Sequence, residues 1–244
     1  MANLDYKQFA RRHRPHINPP DAGLFVTYRL AGSIPKSVVR DYRARKAWLE
    51  TELRRVRSEA ACDDSPELIS WLERVEVFNR RWLLKFETIL HQAEVGPTWM
   101  RDRRIADAVA ESLRALDGEA FRLDAYSVMS NHVHSIFKPF LSEANLREIR
   151  SINGHPLFIS EYPGLSRIMH SVKGRSAREC NVLLERRGQF WEHESFDHVI
   201  RAGKLHKTIS YVLDNPVKVG LSRKWEDFRW NYCRKELFED FRTI

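Results

Sequence analysis

Two histidines, His132 and His134, are separated by one apolar residue in the segment NHVHSIF. Successive side chains of a β-strand point to opposite faces, so both imidazoles share one face while Val133 enters the core. We therefore expect the pair to face the surface and to contribute little to core packing. Two imidazoles on one strand can bind the same divalent ion. The pattern predicts part of a metal site.

A tyrosine and an asparagine lie four residues apart near the end of a helical pattern that starts after Gly203. Tyr211 and Asn215 therefore share one helix face. A phenol can attack a phosphodiester as a nucleophile, and an amide oxygen can add a neutral ligand to the same metal. Because a free phenol has a pKa of about 10, Tyr211 needs activation by the metal or by a nearby base.

Each of these residues also has an ordinary structural explanation when it is taken alone. A histidine on a strand is often hydrogen-bonded or solvated rather than a metal ligand, and a helical tyrosine often packs its ring into the core. Asn215 before Pro216 is also typical of a helix C-terminus. The joint pattern favours a site that combines a metal with a nucleophile.

The predicted ligands are two imidazoles and one amide oxygen, with no thiolate. This mixed set suits Mg²⁺ or Mn²⁺ better than a structural zinc. Such an ion would polarise a non-bridging phosphate oxygen and so neutralise the charge that develops during transesterification.

Four segments of the chain resemble the single-tyrosine transposases of the HUH class, in particular the REP-associated tyrosine transposases of bacteria. In chain order they are YSVMSNHVHSIFKPF, LSRIMHSVKGRSAREC, GQFWEHESFDHVIR and YVLDNPVKVGL. The resemblance covers Leu24 to Thr27 and most of Phe121 to Trp230.

The resemblance implies a ferredoxin-like HUH core and a metal-dependent single-stranded DNA endonuclease and strand transferase. Its substrate would be hairpin DNA of the REP type, and Tyr211 would be joined covalently to a DNA 5′-phosphate. Two other function classes stay open. One is a protein of the same fold that binds hairpin DNA or RNA without cutting it, and the other is a metal-dependent hydrolase with a water nucleophile.

A helical segment over residues 165–184 places several basic residues on the face opposite its apolar residues. They are Arg167, Arg175 and Arg178, with Lys173 close by. This face could bind DNA phosphates, or it could be an ordinary solvated surface. A net charge of +8 and a pI of about 9.5 suit a polyanionic partner.

The three cysteines have no paired spacing, and no apolar run is long enough to span a membrane. We therefore expect a protein of the reducing cytoplasm, associated with the nucleoid through its DNA substrate.

The pattern of elements predicts an α+β fold with an antiparallel sheet and helices on one face. Residues 1–20 are basic and polar and indicate a flexible arm. Residues 21–244 are predicted to form a single domain, with a helical insertion at about 36–100 that separates the first strand from a β-hairpin at 121–137. The sequence suggests no role for this insertion.

Overall fold

The computed structural model describes residues 23–60, 62, 65–140, 146–152, 155–160 and 165–239. The arm predicted at residues 1–20 lies outside these ranges. Within the described part of the chain, no helix is both long enough and apolar enough to cross a membrane.

The described residues contain seven strands. They are β1 (Leu24–Arg29), β2 (Phe121–Val128), β3 (His132–Pro139), β4 (Leu146–Ile152), β5 (His155–Ser160), β6 (Phe196–Val199) and β7 (Asn231–Cys233). Five of them form one sheet in the order β6-β1-β3-β2-β7, with every neighbouring pair antiparallel. β4 and β5 form a separate antiparallel pair.

The α-helices of the described residues vary widely in length. They are α1 (Lys36–Glu59), α2 (Pro66–Gln92), α3 (Arg103–Arg114), α4 (Leu165–Leu183), α5 (Leu205–Leu213), α6 (Asn215–Lys218) and α7 (Lys235–Glu239). The predicted α+β class and the antiparallel sheet are confirmed.

The structure differs from the prediction in where the helices lie, because both faces of the sheet are covered. On one face, Ile209 and Val212 of α5 pack against Phe25 and Ile136. On the other face, Arg114 at the end of α3 lies over the ring of Tyr126, and α3 packs beside α4. Every side chain of β1, and every side chain of β3 except that of Lys138, is buried, so both faces of these strands are covered.

The chain divides into two compact units, of which the smaller is Leu30–Thr98. This unit contains α1 and α2, which pack against each other. Ser65 caps α2 by accepting a hydrogen bond from the Leu68 backbone N–H, and Pro66 occupies the first turn. The division falls near the insertion expected at about 36–100.

Inside the smaller unit, an aromatic cluster joins the two helices. The ring of Tyr42 in α1 stacks on Phe78 of α2 at 5.8 Å and contacts Trp82 and Phe86. Rings packed in this way bury a large apolar area, so the helical pair has a core of its own.

Candidate metal and nucleophile site

His132 and His134 lie on β3, on the face of the sheet that α5 covers. Both side chains are 0% exposed. The expectation that they face the surface is therefore wrong, because α5 packs on that face of the sheet and places the Tyr211 ring beside His134. As a result, the pair belongs to the buried part of the fold, and its replacement will affect stability as well as chemistry.

The two imidazoles point at each other. Their Nε2 atoms are 3.1 Å apart, and the rings are nearly perpendicular at 83°. The His132 Nδ1 lies 2.7 Å from Asn131 Oδ1, and the His134 Nδ1 lies 2.8 Å from Thr27 Oγ1. Each ring is thus held from its far side by a neighbouring polar group.

The contact with Asn131 fixes the tautomer of His132. A carboxamide oxygen only accepts hydrogen bonds, so Nδ1 of a neutral His132 must donate, and its Nε2 then carries a lone pair. The Thr27 hydroxyl can either donate or accept. Without an ion, the 3.1 Å contact is a hydrogen bond in which His134 Nε2 donates to His132 Nε2, and the Thr27 hydroxyl then donates to His134 Nδ1. With an ion between the rings, Thr27 would instead accept from His134 Nδ1, and both Nε2 lone pairs would face the ion. This is the second-sphere arrangement that orients histidines toward a metal.

The separation of the two Nε2 atoms also fits shared coordination. Two ligands about 2.1 Å from one ion lie roughly 3.0 Å apart in an octahedral arrangement and about 3.4 Å apart in a tetrahedral one. The observed 3.1 Å falls between these values. The histidine pair therefore fits a divalent ion without rearrangement of the strand.

Tyr211 lies against this pair. Its ring centre is 6.0 Å from that of His134 and 6.0 Å from that of Phe25, edge-on in both cases. Its hydroxyl is shielded from solvent. Ile209 and Val212, on the core side of α5, hold the helix against the sheet. The structure thus brings together three of the residues singled out in the sequence, namely His132, His134 and Tyr211.

Asn215 is fully buried at the start of α6. Its Nδ2 donates to the Tyr211 carbonyl at 2.7 Å, so the side chain is folded back on the last turn of α5. Its Oδ1 is also buried and has no hydrogen-bond partner among the described residues. An unsatisfied buried acceptor costs about 1–3 kcal/mol. A cation would satisfy it, and this fits the predicted role of Asn215 as an oxygen ligand, which stays a prediction.

Asn231, which the sequence analysis missed, anchors the helix that carries Tyr211. Its Nδ2 donates to the carbonyls of Leu213 and Trp225, both at 2.9 Å. Asn231 opens β7 and pairs with Ser127 of β2. The C-terminal end of α5 is thereby tied to the sheet that carries the histidines. Nothing in the local sequence reveals this contact, because it joins residues 18 apart.

The predicted basic face is present on α4. Arg167, Arg175 and Arg178 are exposed, whereas Leu165, Ile168, Met169 and Val172 of the same helix are buried. Arg175 and Arg178 also line an open cleft of about 640 Å³. Their part in DNA binding stays a prediction.

Lys173, unlike these three arginines, is not exposed. Its ammonium donates to the backbone carbonyls of Glu192, His193 and Glu194 at 3.0–3.3 Å. Burial lowers the pKa of Lys173 to about 8, and neighbouring Arg29 acts in the same direction. An ammonium has three donors, and all three are used here. Lys173 thus holds the segment before β6 against α4, which leaves none of these donors for a phosphate.

No family model and no curated protein matches the chain. The structure of this chain is similar to a solved structure of a REP-associated tyrosine transposase bound to a REP hairpin. The match has 14% sequence identity and a TM-score of 0.38, and it covers 92% of this chain and 81% of the other. At this level of similarity, the function of the chain has to be judged from its own site.

Proposed function

We propose that this chain is a metal-dependent single-stranded DNA endonuclease and strand transferase. Its substrate would be hairpin DNA of the REP type, and the reaction would pass through a covalent 5′-phosphotyrosine at Tyr211. The observation that carries this proposal is the histidine pair, with its Nε2 atoms 3.1 Å apart and the Tyr211 ring packed on His134. A tyrosine beside such a pair suits a phosphoryl transfer that needs both a nucleophile and a charge.

His132, His134 and the Oδ1 of Asn215 would hold the ion, which is Mg²⁺ or Mn²⁺. When bound, this ion supplies positive charge for a non-bridging oxygen of the scissile phosphate. Asn131 and Thr27 keep the imidazoles in place, so little conformational freedom is lost when the ligands engage. The donor set contains no thiolate, as expected for a hard cation.

Tyr211 would attack the phosphate in line from the position in which its own helix holds it. α5 fixes the ring against Phe25 and His134, and Asn231 fixes the end of the helix. The phenol loses its proton and its oxygen forms a bond to phosphorus, while the bond from phosphorus to the 3′-oxygen breaks and that oxygen takes up a proton. The products are a DNA 5′-phosphate on Tyr211 and a free 3′-hydroxyl. Attack of a 3′-hydroxyl on the phosphotyrosine reverses the step and joins strands.

A second candidate is supported by one feature of the site. The two histidines are 0% exposed and the Tyr211 hydroxyl is shielded from solvent, so the site is closed in this conformation. A protein that binds hairpin DNA or RNA without cutting it could keep such a closed site permanently. A transferase must open it when the strand arrives.

One assay separates these candidates. Single-stranded hairpin DNA labelled on the 3′ side of the cut is incubated with the protein and Mg²⁺ or Mn²⁺, then run under denaturing conditions. We expect the label to migrate with the protein, and chelation of the metal to prevent this. A hydrolase that uses water would release free labelled DNA, and a binding protein would leave the DNA intact.

The exposed arginines of α4 give a prediction about binding. Replacing Arg167, Arg175 and Arg178 with Ala should weaken hairpin binding and reduce the slope of log K against log salt by roughly 0.7–0.9 for each phosphate that is no longer bound. The same three positions changed to Lys keep the charge and should keep most of the slope. An unchanged slope in the Ala variant would mean that these arginines face solvent and do not contact DNA phosphates. Binding can be measured by fluorescence anisotropy across a salt series.

A further inference from the structure

The exposed side of the helix that carries Tyr211 has a lysine on each side of the tyrosine. Lys207 comes four residues earlier in α5, so it lies on the same helix face. Lys218, at the end of α6, places its Nζ 4.3 Å from the centre of the Tyr211 ring. Both lysines are exposed, and the tyrosine is half-buried between them.

The break between α5 and α6 allows the chain to bring Lys218 to this position. α5 ends at Leu213, and α6 begins at Asn215 with Pro216 in its first turn. Proline has no backbone N–H and cannot continue the hydrogen bonding of α5. Lys218 comes at the end of the short helix that follows, and its side chain reaches back over the ring.

This stripe, formed by Lys207, Tyr211 and Lys218, has a net positive charge. Asp214 lies beside it and offsets one of the two lysines. The ammonium of Lys218 touches the ring of the proposed nucleophile and is open to solvent at the same time. An incoming anion can therefore meet this cation before it reaches the phenol oxygen.

We propose that Lys207 and Lys218 bind the phosphates on either side of the one that Tyr211 attacks. Once the closed site has opened, the scissile strand then passes Tyr211 and runs along the exposed face of α5 and α6. This inference rests on the proposed function, since it takes Tyr211 as the nucleophile. A reacting phosphate must lie about 3–3.5 Å from the attacking oxygen. Its neighbours on the same strand must then pass close to the residues that flank Tyr211.

The ligand of this stripe is the backbone of single-stranded DNA, held through its charge and not through its bases. A lysine ammonium is a compact point charge that accepts phosphate oxygens from many directions. Such contacts position a strand without reading its sequence. Lys207 and Lys218 are thus positioning residues, which place the scissile phosphate for attack by Tyr211.

The test pairs lysine variants with DNA in which one phosphate is made neutral. Lys207→Met and Lys218→Met each remove a charge and keep a long side chain, and Lys218→Arg keeps the charge. Lys235→Met, at an exposed lysine of α7, is the matched control. The DNA carries a methylphosphonate at either of the two phosphates that flank the cut, or at a distant phosphate. Equilibrium binding is measured across a salt series, and kcat and KM of adduct formation are measured at one salt concentration.

We expect each Met variant to lower the affinity for unmodified DNA and to reduce the salt slope by about 0.7, the value for one single-strand phosphate contact. When one flanking phosphate carries the methylphosphonate, replacing the lysine that contacts it should cause no further loss of affinity. Replacing the other lysine should still weaken binding. Lys218→Arg should restore binding, and Lys235→Met should change nothing. Because the lysines position the phosphate, kcat should also fall in the Met variants.

If each Met variant loses the same affinity with every modified DNA, or if its salt slope is unchanged, the assignment of the two lysines is wrong. If the wild-type protein forms an adduct but the lysines show no such coupling, only this inference fails. If the wild-type protein forms no adduct, the proposed function fails, whatever the binding experiments show.

Discussion

Replacing Tyr211 with Phe is expected to stop DNA cleavage, with a loss of on the order of 10³-fold or more, while hairpin binding stays near that of the wild type. The substitution removes one oxygen and keeps the ring. The packing on Phe25 and His134 and the cation–π contact with Lys218 are therefore retained. Cleavage is measured with end-labelled hairpin DNA in Mg²⁺ or Mn²⁺, and binding by anisotropy.

Tyr232→Phe is the matched control for this experiment. Tyr232 lies on β7 and stacks on Tyr126 at 5.3 Å, and it is a tyrosine that could also be joined to DNA. The control should cleave like the wild type. If Tyr211→Phe still forms a covalent adduct and Tyr232→Phe does not, Tyr211 is not the nucleophile. If Tyr211→Phe still cleaves without an adduct, water is the nucleophile.

The second large effect concerns the histidine pair. His132→Ala and His134→Ala are each expected to abolish cleavage and to remove a bound Mn²⁺ ion, because each takes one imidazole from the predicted ligand set. Binding of Mn²⁺ can be followed by electron paramagnetic resonance or calorimetry in the absence of DNA. This measurement does not depend on activity.

Both variants will also be less stable, since the imidazoles are buried and hydrogen-bonded to Asn131 and Thr27. Loss of such a bond leaves a buried partner unsatisfied and costs about 1–3 kcal/mol. Chemical denaturation shows whether the variants are folded at the assay temperature. His170→Ala, at an exposed histidine of α4, should leave Mn²⁺ binding and cleavage unchanged. Cleavage by the wild type in the presence of excess chelator would refute the metal site.

The sequence predicts the long helices and the β2–β3 hairpin well because their signals are local. The helix starting at Pro66 follows from Ser65 and the proline, and the β2–β3 hairpin follows from two β-rich runs with a short turn. The placement of His132 and His134 on the same face of their strand also follows from strand alternation alone. Their burial does not, because it depends on where α5 packs, and α5 is distant from β3 in the sequence.

The shorter elements escape sequence analysis for a related reason. β6 and β7 have four and three residues, too few for a period to be recognised. They are strands because they pair with β1 and β2. The predicted role of Lys173 shows the same difficulty. Helical spacing places it near a basic face, but whether its ammonium meets solvent or backbone carbonyls depends on the distant segment at residues 192–194.

The central claim is that Tyr211, beside a metal held by His132 and His134, becomes covalently joined to DNA. The most direct test is to trap the adduct with hairpin DNA and Mg²⁺ or Mn²⁺, digest it with protease and nuclease, and locate the modified peptide by mass spectrometry. We predict a nucleotide 5′-phosphate on Tyr211, absent when the metal is chelated. A modification on another residue, or cleaved DNA with no modified peptide at all, would contradict the claim.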